Sequence, residues 1–358
     1  MNEPTRFQIA VIPGDGIGNE VIPEGLRVLE KIAATSARPI QFDFTHFPWG
    51  CDHYLRTGRM MDADGLEQLR GFDAIYFGAV GWPGVPDHIS LWGLRLAICQ
   101  GFDQYVCLRP VKLLPGIASP LRAASPERID WVVVRENSEG EYAGAGGRAF
   151  AGRKDAGEVA VQTAIFTRVG CERIIRYAFQ LARSRSKKKV TSVTKSNAQA
   201  YGMTLWDDVF AEVAGEFPDV RTEQFLVDAM AARFVLRPDT LDVVVGSNLF
   251  GDILSDLGSA IAGSLGIAAS TNINPERRYP SMFEPVHGSA PDIAGKGIAN
   301  PIAAIWSAAL MLDFLGLPGD AARIMTAIER ATASANLTPD LGGAATTTQV
   351  ADAIISVL

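Results

Sequence analysis

Gly246–Gly266 reads GSNLFGDILSDLGSAIAGSLG, and after a loop Ser281–Asn300 reads SMFEPVHGSAPDIAGKGIAN. The first stretch predicts a helix from Leu249 to about Ala262. Asp252 and Asp256 stand on it at i and i+4, so both carboxylates project from one face about one turn apart. Two like charges so placed repel, and a helix gains from holding them only when a cation sits between them. Hard oxygen ligands suit Mg²⁺ or Mn²⁺ rather than zinc. A DxxxD pair can equally be a solvated face, but here the flanks Ile253, Leu254, Leu257 and Ala260 are apolar or small. In the second stretch His287, Gly288, Ser289, Ala290 and Pro291 form a tight turn rich in backbone donors. Asp292 follows, and Asn300-Pro301 opens a new helix. A small-residue loop carrying a carboxylate can hold an adenosine; it can also be an ordinary surface loop.

The chain around this stretch has 358 residues, 47% hydrophobic and 20% charged, enough for a large core and two domains. A net charge of −7 argues against nucleic-acid binding, which needs a basic face. The basic run Ser184–Lys189 is read as a solvated loop. Cys51, Cys99, Cys107 and Cys171 lack metal or disulfide-framework spacing, so reduced thiols and a cytoplasmic location are expected. The N-terminus has no signal-peptide pattern, and no apolar run of membrane-spanning length occurs.

Strand and helix patterns alternate along the chain. Phe7–Ile12 is a strand, followed by PGDGIG and a helix from Asn19 to Ala33. Gly14, Gly16 and Gly18 give GxGxG and not GxGxxG, so no Rossmann fold is assigned. Ile40–His46 and Asp73–Val80 read as strands, Ala63–Leu69 as a short helix, and Ser90 to about Gln104 as mostly helical. Ile129–Arg135 is a strand, and Glu158–Thr167 alternates like one. A helix over Val169–Arg183 precedes the strand Val190–Thr194, which delivers Lys195-Ser196-Asn197. The helix Ala198–Glu216 and the strand Thr222–Val227 lead to Asp228, which by position alone reads as a helix N-cap. Leu241–Gly246 is the strand feeding the Asp252 helix, and helices cover Ile302–Leu315, Gly319–Ala333 and Gln349–Val357. Arg95, Arg109 and Arg135 fall within or at the ends of such elements. A guanidinium pairs bidentately with a carboxylate, so they suit a dicarboxylate; isolated surface salt bridges are the alternative.

HGSAPDIAGKGIANP together with GDILSD resembles the β-decarboxylating dehydrogenases, which comprise isocitrate, 3-isopropylmalate and tartrate/D-malate enzymes. LRP, REN, EGEY and TKSN extend the resemblance along the chain, and DHISLWGLR and GFDQY are most similar to the tartrate/D-malate branch. The resemblance implies an α/β, non-Rossmann, two-domain isopropylmalate dehydrogenase-like fold with mixed sheets flanked by helices. One domain would join 1–104 and 263–358, and the other would be 105–262 with a dimer arm. It implies Asp252, Asp256 and a partner subunit's copy of Asp228 as metal ligands, with Lys195 and Tyr142 catalytic. Arg109 and Arg135 would bind substrate carboxylates. Arg95 joins them with a shifted spacing, because the position ten before Arg109 is Cys99. Glu284, His287, Gly288, Ser289, Ala290, Asp292, Asn300 and Asn197 would bind the cofactor. Asp292 favours NAD over NADP, since it accepts from ribose hydroxyls and repels a 2′-phosphate. The implied reaction is NAD- and Mn²⁺- or Mg²⁺-dependent oxidation of tartrate or D-malate, with decarboxylation of D-malate to pyruvate. K⁺ is an optional further cation, and 3-isopropylmalate is the alternative substrate. The assembly implied is a homodimer with sites shared between subunits.

Overall fold

The computed structural model describes residues 4–155 and 157–358. Its strands are β1 (Thr5–Gly14), β2 (Ile40–His46), β3 (Ala74–Ala79), β4 (Val106–Lys112), β5 (Asp130–Glu136), β6 (Gly146–Ala149), β7 (Val159–Gln162), β8 (Lys189–Thr194), β9 (Arg221–Leu226), β10 (Val243–Gly246), β11 (Ala269–Ile273) and β12 (Ser281–Pro285). The chain forms two compact units. The first holds the residues up to Gln104, Arg109–Ile129 and Gly258–Leu358; the second holds Tyr105–Leu108 and Asp130–Leu257. Relative to the expected boundaries, 109–129 lies with the first unit and the chain returns to it at Gly258.

In the first unit the sheet order is β2-β1-β3-β12-β11. The pairs up to β12 are parallel and β11 runs antiparallel to β12, so the sheet is mixed. The helix Gly18–Thr35 buries Val21, Ile22, Val28, Leu29 and Ile32 along one side. The helix Ile302–Phe314 (IAAIWSAALMLDF) is apolar all round and is correspondingly buried from Ile302 through Ala309. A second part of the core gathers Ile12, Trp49, Phe77, Leu94, Ile98 and Phe102.

The expected helix over Ser90–Gln104 forms in three pieces. Asp87–Ser90 and Leu96–Gly101 are α-helical, and the wider π turn Leu91–Arg95 joins them. Strand β11 does not announce itself in the sequence, because its buried residues include Ser270, Thr271 and Asn272. A strand whose buried positions are polar gives no hydrophobic periodicity.

In the second unit β5-β10-β8-β9 are all parallel, and Val133, Val190, Val193 and Val244 fill their buried positions. Continuous Val-rich runs are what strands covered on both faces require. The helix Arg168–Ser184 buries Ile174, Ile175, Ala178 and Phe179, and Thr167 caps it by accepting from Gly170 N–H. The alternating segment expected over Glu158–Thr167 is a strand only at β7, which pairs antiparallel with β6, and every residue of both strands is exposed.

Candidate active site

Within the second unit, three of the expected side chains meet. The helix Asn248–Ile261 follows β10 directly and runs past the end of β5. Gly251 makes this approach possible: a Cβ there would lie 2.7 Å from Arg135 Cβ. Arg135 is 2% exposed. Its Nη1 pairs with Asp252 Oδ1, while Nε and Nη2 donate to Asn248 Oδ1 at 3.0 and 2.7 Å. Tyr142 O–H donates to Asp252 Oδ2 at 2.9 Å, and its ring stacks under the Arg135 guanidinium.

Asp252 is therefore not a bare carboxylate repelling Asp256, because each of its oxygens has a donor. Asp256 lies one turn on and is exposed. Asn248 was missed by the sequence reading. Its signal was available, since 248, 252 and 256 are successive i, i+4 positions on one helical face. Asn248 Nδ2 also donates to Glu139 O at 3.1 Å, tying this helix to the segment that carries Tyr142. Glu136, at the end of β5, accepts from Ser138 N–H and Glu139 N–H at 2.8 Å each. Burial nevertheless pushes its carboxyl above the usual range.

A second pair in the same unit is Lys195 and Asp228. Lys195 follows β8, and its Nζ donates to Asp228 Oδ1 at 2.5 Å. The hydrogen bond from Lys195 holds the Asp228 carboxyl below the usual aspartate value. Asp228 is not an N-cap, as position alone suggested: Leu226 caps the helix Val227–Leu236, and Asp228 lies inside its first turn. Asn197 is exposed in the turn after Lys195. Among the described residues, no three His, Cys, Asp or Glu side chains are grouped to hold a metal. One chain thus offers Asp252 and Asp256 as an oxygen-only half-site, and the hard character of these donors fits a divalent ion.

Apart from Asn197, which lies in the second unit, the expected cofactor residues belong to the first unit. The PGDGIG loop packs on the His287 turn: Ile17 N–H donates to Ser289 O at 2.9 Å. At Gly16, where φ is +54°, a Cβ would fall 2.1 Å from that same oxygen. Asp15, beneath the loop, accepts from Cys51 N–H at 2.7 Å and Gly81 N–H at 2.9 Å. Ser289 and Asn300 are buried, whereas Gly288 and Asp292 are exposed. Asn300 Nδ2 and Ser264 Oγ donate to Asp340 Oδ2 at 3.1 and 2.6 Å. His287 Nδ1 lies 3.0 Å from Gly288 O, so it donates there, and Nε2 remains as an acceptor. Nε2 is buried and has no partner among the described residues, and desolvation lowers the imidazole pKa. A buried acceptor without a donor beside a donor-rich turn fits a ligand bearing hydroxyl or amino groups, as a dinucleotide does. Glu284 is turned inward to Arg95 and Asn272. Arg109, on β4, is 7% exposed.

Comparison with known proteins gives the class to which this fold and these side chains belong, a dehydrogenase family. The isocitrate/isopropylmalate dehydrogenase family matches residues 8–354, and the chain belongs to that family. Membership implies NAD(P) and a divalent metal. The chain is 54% identical to the D-malate dehydrogenase (decarboxylating) of Escherichia coli strain K12 over 359 residues, which covers 98% of each chain. It is likewise 54% identical to the tartrate dehydrogenase/decarboxylase of Pseudomonas putida, again with 98% of each covered. A probable tartrate dehydrogenase/decarboxylase of Agrobacterium vitis is 59% identical over 99% of this chain and 98% of its own. The crystal structure of isocitrate dehydrogenase from Methylococcus capsulatus superposes with a TM-score of 0.86 at 34% identity, covering 98% of this chain and 99% of that one. No helix among the described residues is long and apolar enough to cross a membrane.

Proposed function

We propose that this protein oxidises a small 2-hydroxy dicarboxylate, tartrate or D-malate, with NAD⁺ and a divalent ion, and converts D-malate to pyruvate and CO₂. The observation that carries the reading is the cluster in which Tyr142 and Arg135 both engage Asp252. It puts a proton donor and a guanidinium beside a carboxylate of the metal half-site.

Asp252 and Asp256 would hold Mn²⁺ or Mg²⁺, with Asp228 of a second copy as the third ligand. When bound, the ion acidifies the substrate hydroxyl and offsets the negative charge that develops as CO₂ leaves. NAD⁺ supplies the hydride acceptor. Arg109 and Arg135 bind the two carboxylates, since a guanidinium matches a carboxylate's two oxygens. Lys195 of that second copy, paired there with Asp228, takes the hydroxyl proton as the C2 hydride departs. Tyr142 delivers a proton to the carbon that loses CO₂. D-malate and NAD⁺ thus give pyruvate, CO₂ and NADH. Asp292 is exposed in the cofactor turn, where it receives ribose hydroxyls and disfavours a 2′-phosphate, so NAD is the cofactor and not NADP.

The β6–β7 hairpin supports the dimer. All residues of β6 and β7 are exposed, and Val159 and Val161 retain 49% and 57% exposure. An isolated two-stranded ribbon with an apolar side is marginal in water, and a second copy of the chain gives it a partner. The four cysteines are buried thiols, in keeping with a reducing, cytoplasmic setting. The direct test supplies D-malate labelled at C4: equal yields of labelled CO₂ and NADH are expected. NADH without CO₂ would limit the reaction to oxidation.

A further inference from the structure

Arg95 ends the π turn Leu91–Arg95, in which Leu96 N–H bonds to Leu91 O. Such i→i+5 turns are uncommon and concentrate at functional positions. Here the turn aims a guanidinium into the sheet. The Arg95 and Glu284 side chains retain only 10% and 5% exposure. Arg95 Nε donates to Glu284 Oε1 and Oε2 at 2.9 and 3.0 Å, and Nη2 donates to Oε1 at 2.6 Å. Nη2 also reaches Asn272 Oδ1 at 3.1 Å, and Asn272 Nδ2 donates to Glu284 Oε1 at 2.6 Å. A buried ion pair persists only where such geometry and added hydrogen bonds offset desolvation. Glu284 and Asn272 therefore hold the guanidinium in place.

Glu284 is the next-to-last residue of β12 and stands three residues before His287. Its main-chain oxygen accepts from Ser307 Oγ at 2.7 Å, and Val286 N–H donates to Ala268 O at 2.8 Å. The strand end is thus fixed from the side-chain face by Arg95 and Asn272, and along the backbone by the helix and by the segment leading into β11. The turn His287–Asp292 departs from that fixed point.

We propose that Arg95 is a positioning residue for the dinucleotide turn and not a ligand of the hydroxy acid. By holding Glu284 against Asn272 it sets where β12 ends, and so where the turn presents its polar atoms. This rests on the assignment of that turn to NAD⁺. Lysine cannot reproduce the forked contact, so even a charge-conserving change disturbs it.

The experiment compares wild type with Arg95→Met and Arg95→Lys, each well below its own melting temperature. NAD⁺ affinity is read by titration calorimetry, and the KM for the hydroxy acid is read at saturating NAD⁺. The expected result is NAD⁺ binding weakened about tenfold with the hydroxy-acid KM changed by less than about twofold. A raised hydroxy-acid KM with unchanged NAD⁺ affinity makes Arg95 a substrate ligand and overturns the inference. Equal changes in both, or no change in either, also overturn it. Where Arg95→Met does not fold, Arg95→Lys decides. The calorimetry needs no turnover, so a wild-type enzyme inactive on hydroxy diacids defeats the proposed activity while leaving this inference to its own binding result.

Discussion

Tyr142 O–H and Arg135 Nη1 take opposite oxygens of Asp252, so one carboxylate fixes both a phenol and a guanidinium. The same contacts make the phenol's position depend on the metal helix. Tyr142→Phe removes the proton donor and leaves Arg135 on Asp252. The expected outcome is a fall in pyruvate formation of about 10²–10⁴-fold, with NADH production reduced less, so that the oxidised keto acid accumulates. The CO₂-to-NADH ratio checks this; an unchanged ratio removes Tyr142 from the decarboxylation step.

Gly251 lets the helix Asn248–Ile261 lie against Arg135, with only 2.7 Å available to a new Cβ. Gly251→Ala pushes the helix and Arg135 apart. The expected cost is about 1–3 kcal/mol of stability together with a raised KM for the hydroxy acid and little change for NAD⁺. Denaturant unfolding and steady-state kinetics read the two effects separately.

The proposed sharing of metal ligands between two copies of the chain predicts complementation. Asp228→Asn and Asp252→Asn homodimers are each expected to be inactive. Co-refolded in equal amounts, they form heterodimers in which one site carries both defects and the other carries neither. Recovery of about a quarter of wild-type activity follows from random pairing with half the sites of each heterodimer intact. No recovery places all metal ligands within one chain.

His287 gives a pH-dependent contribution to stability. Burial lowers its pKa below 6.5, so the folded protein favours the neutral ring. A depressed folded-state pKa contributes stability that is present above the unfolded value and lost as pH falls toward the folded one. His287→Gln should therefore lose less melting temperature than wild type between about pH 7.5 and about pH 5.5. Parallel pH profiles for the two proteins contradict the assignment.

Most elements were legible because their periodicity is strong. The expected strand Ile40–His46 matches β2, and the helix read from Leu249 forms over Asn248–Ile261. Strand β11 escaped because its buried residues are polar, and the short helix Cys51–Thr57 escaped because it buries little besides Cys51. At the site, spacing pointed to Asp252 and Asp256, and the family resemblance pointed to the three arginines. The partners of those side chains were not legible, because they come from distant segments. Asp252 meets residues 110 and 117 positions away, and Arg95 meets Glu284 across 189. Which carboxylate of the chain an arginine meets depends on such long-range contacts and is not written in local sequence.

The most direct test of the central claim is NADH formation at 340 nm with NAD⁺, Mn²⁺ and K⁺, offering D-malate, L-tartrate, meso-tartrate, 3-isopropylmalate and isocitrate in parallel. Strong turnover of D-malate or a tartrate is expected, with little of the two bulkier substrates and loss of the signal on chelation of the metal. Preferential turnover of 3-isopropylmalate, or NADH formation that survives removal of the metal, would contradict that claim.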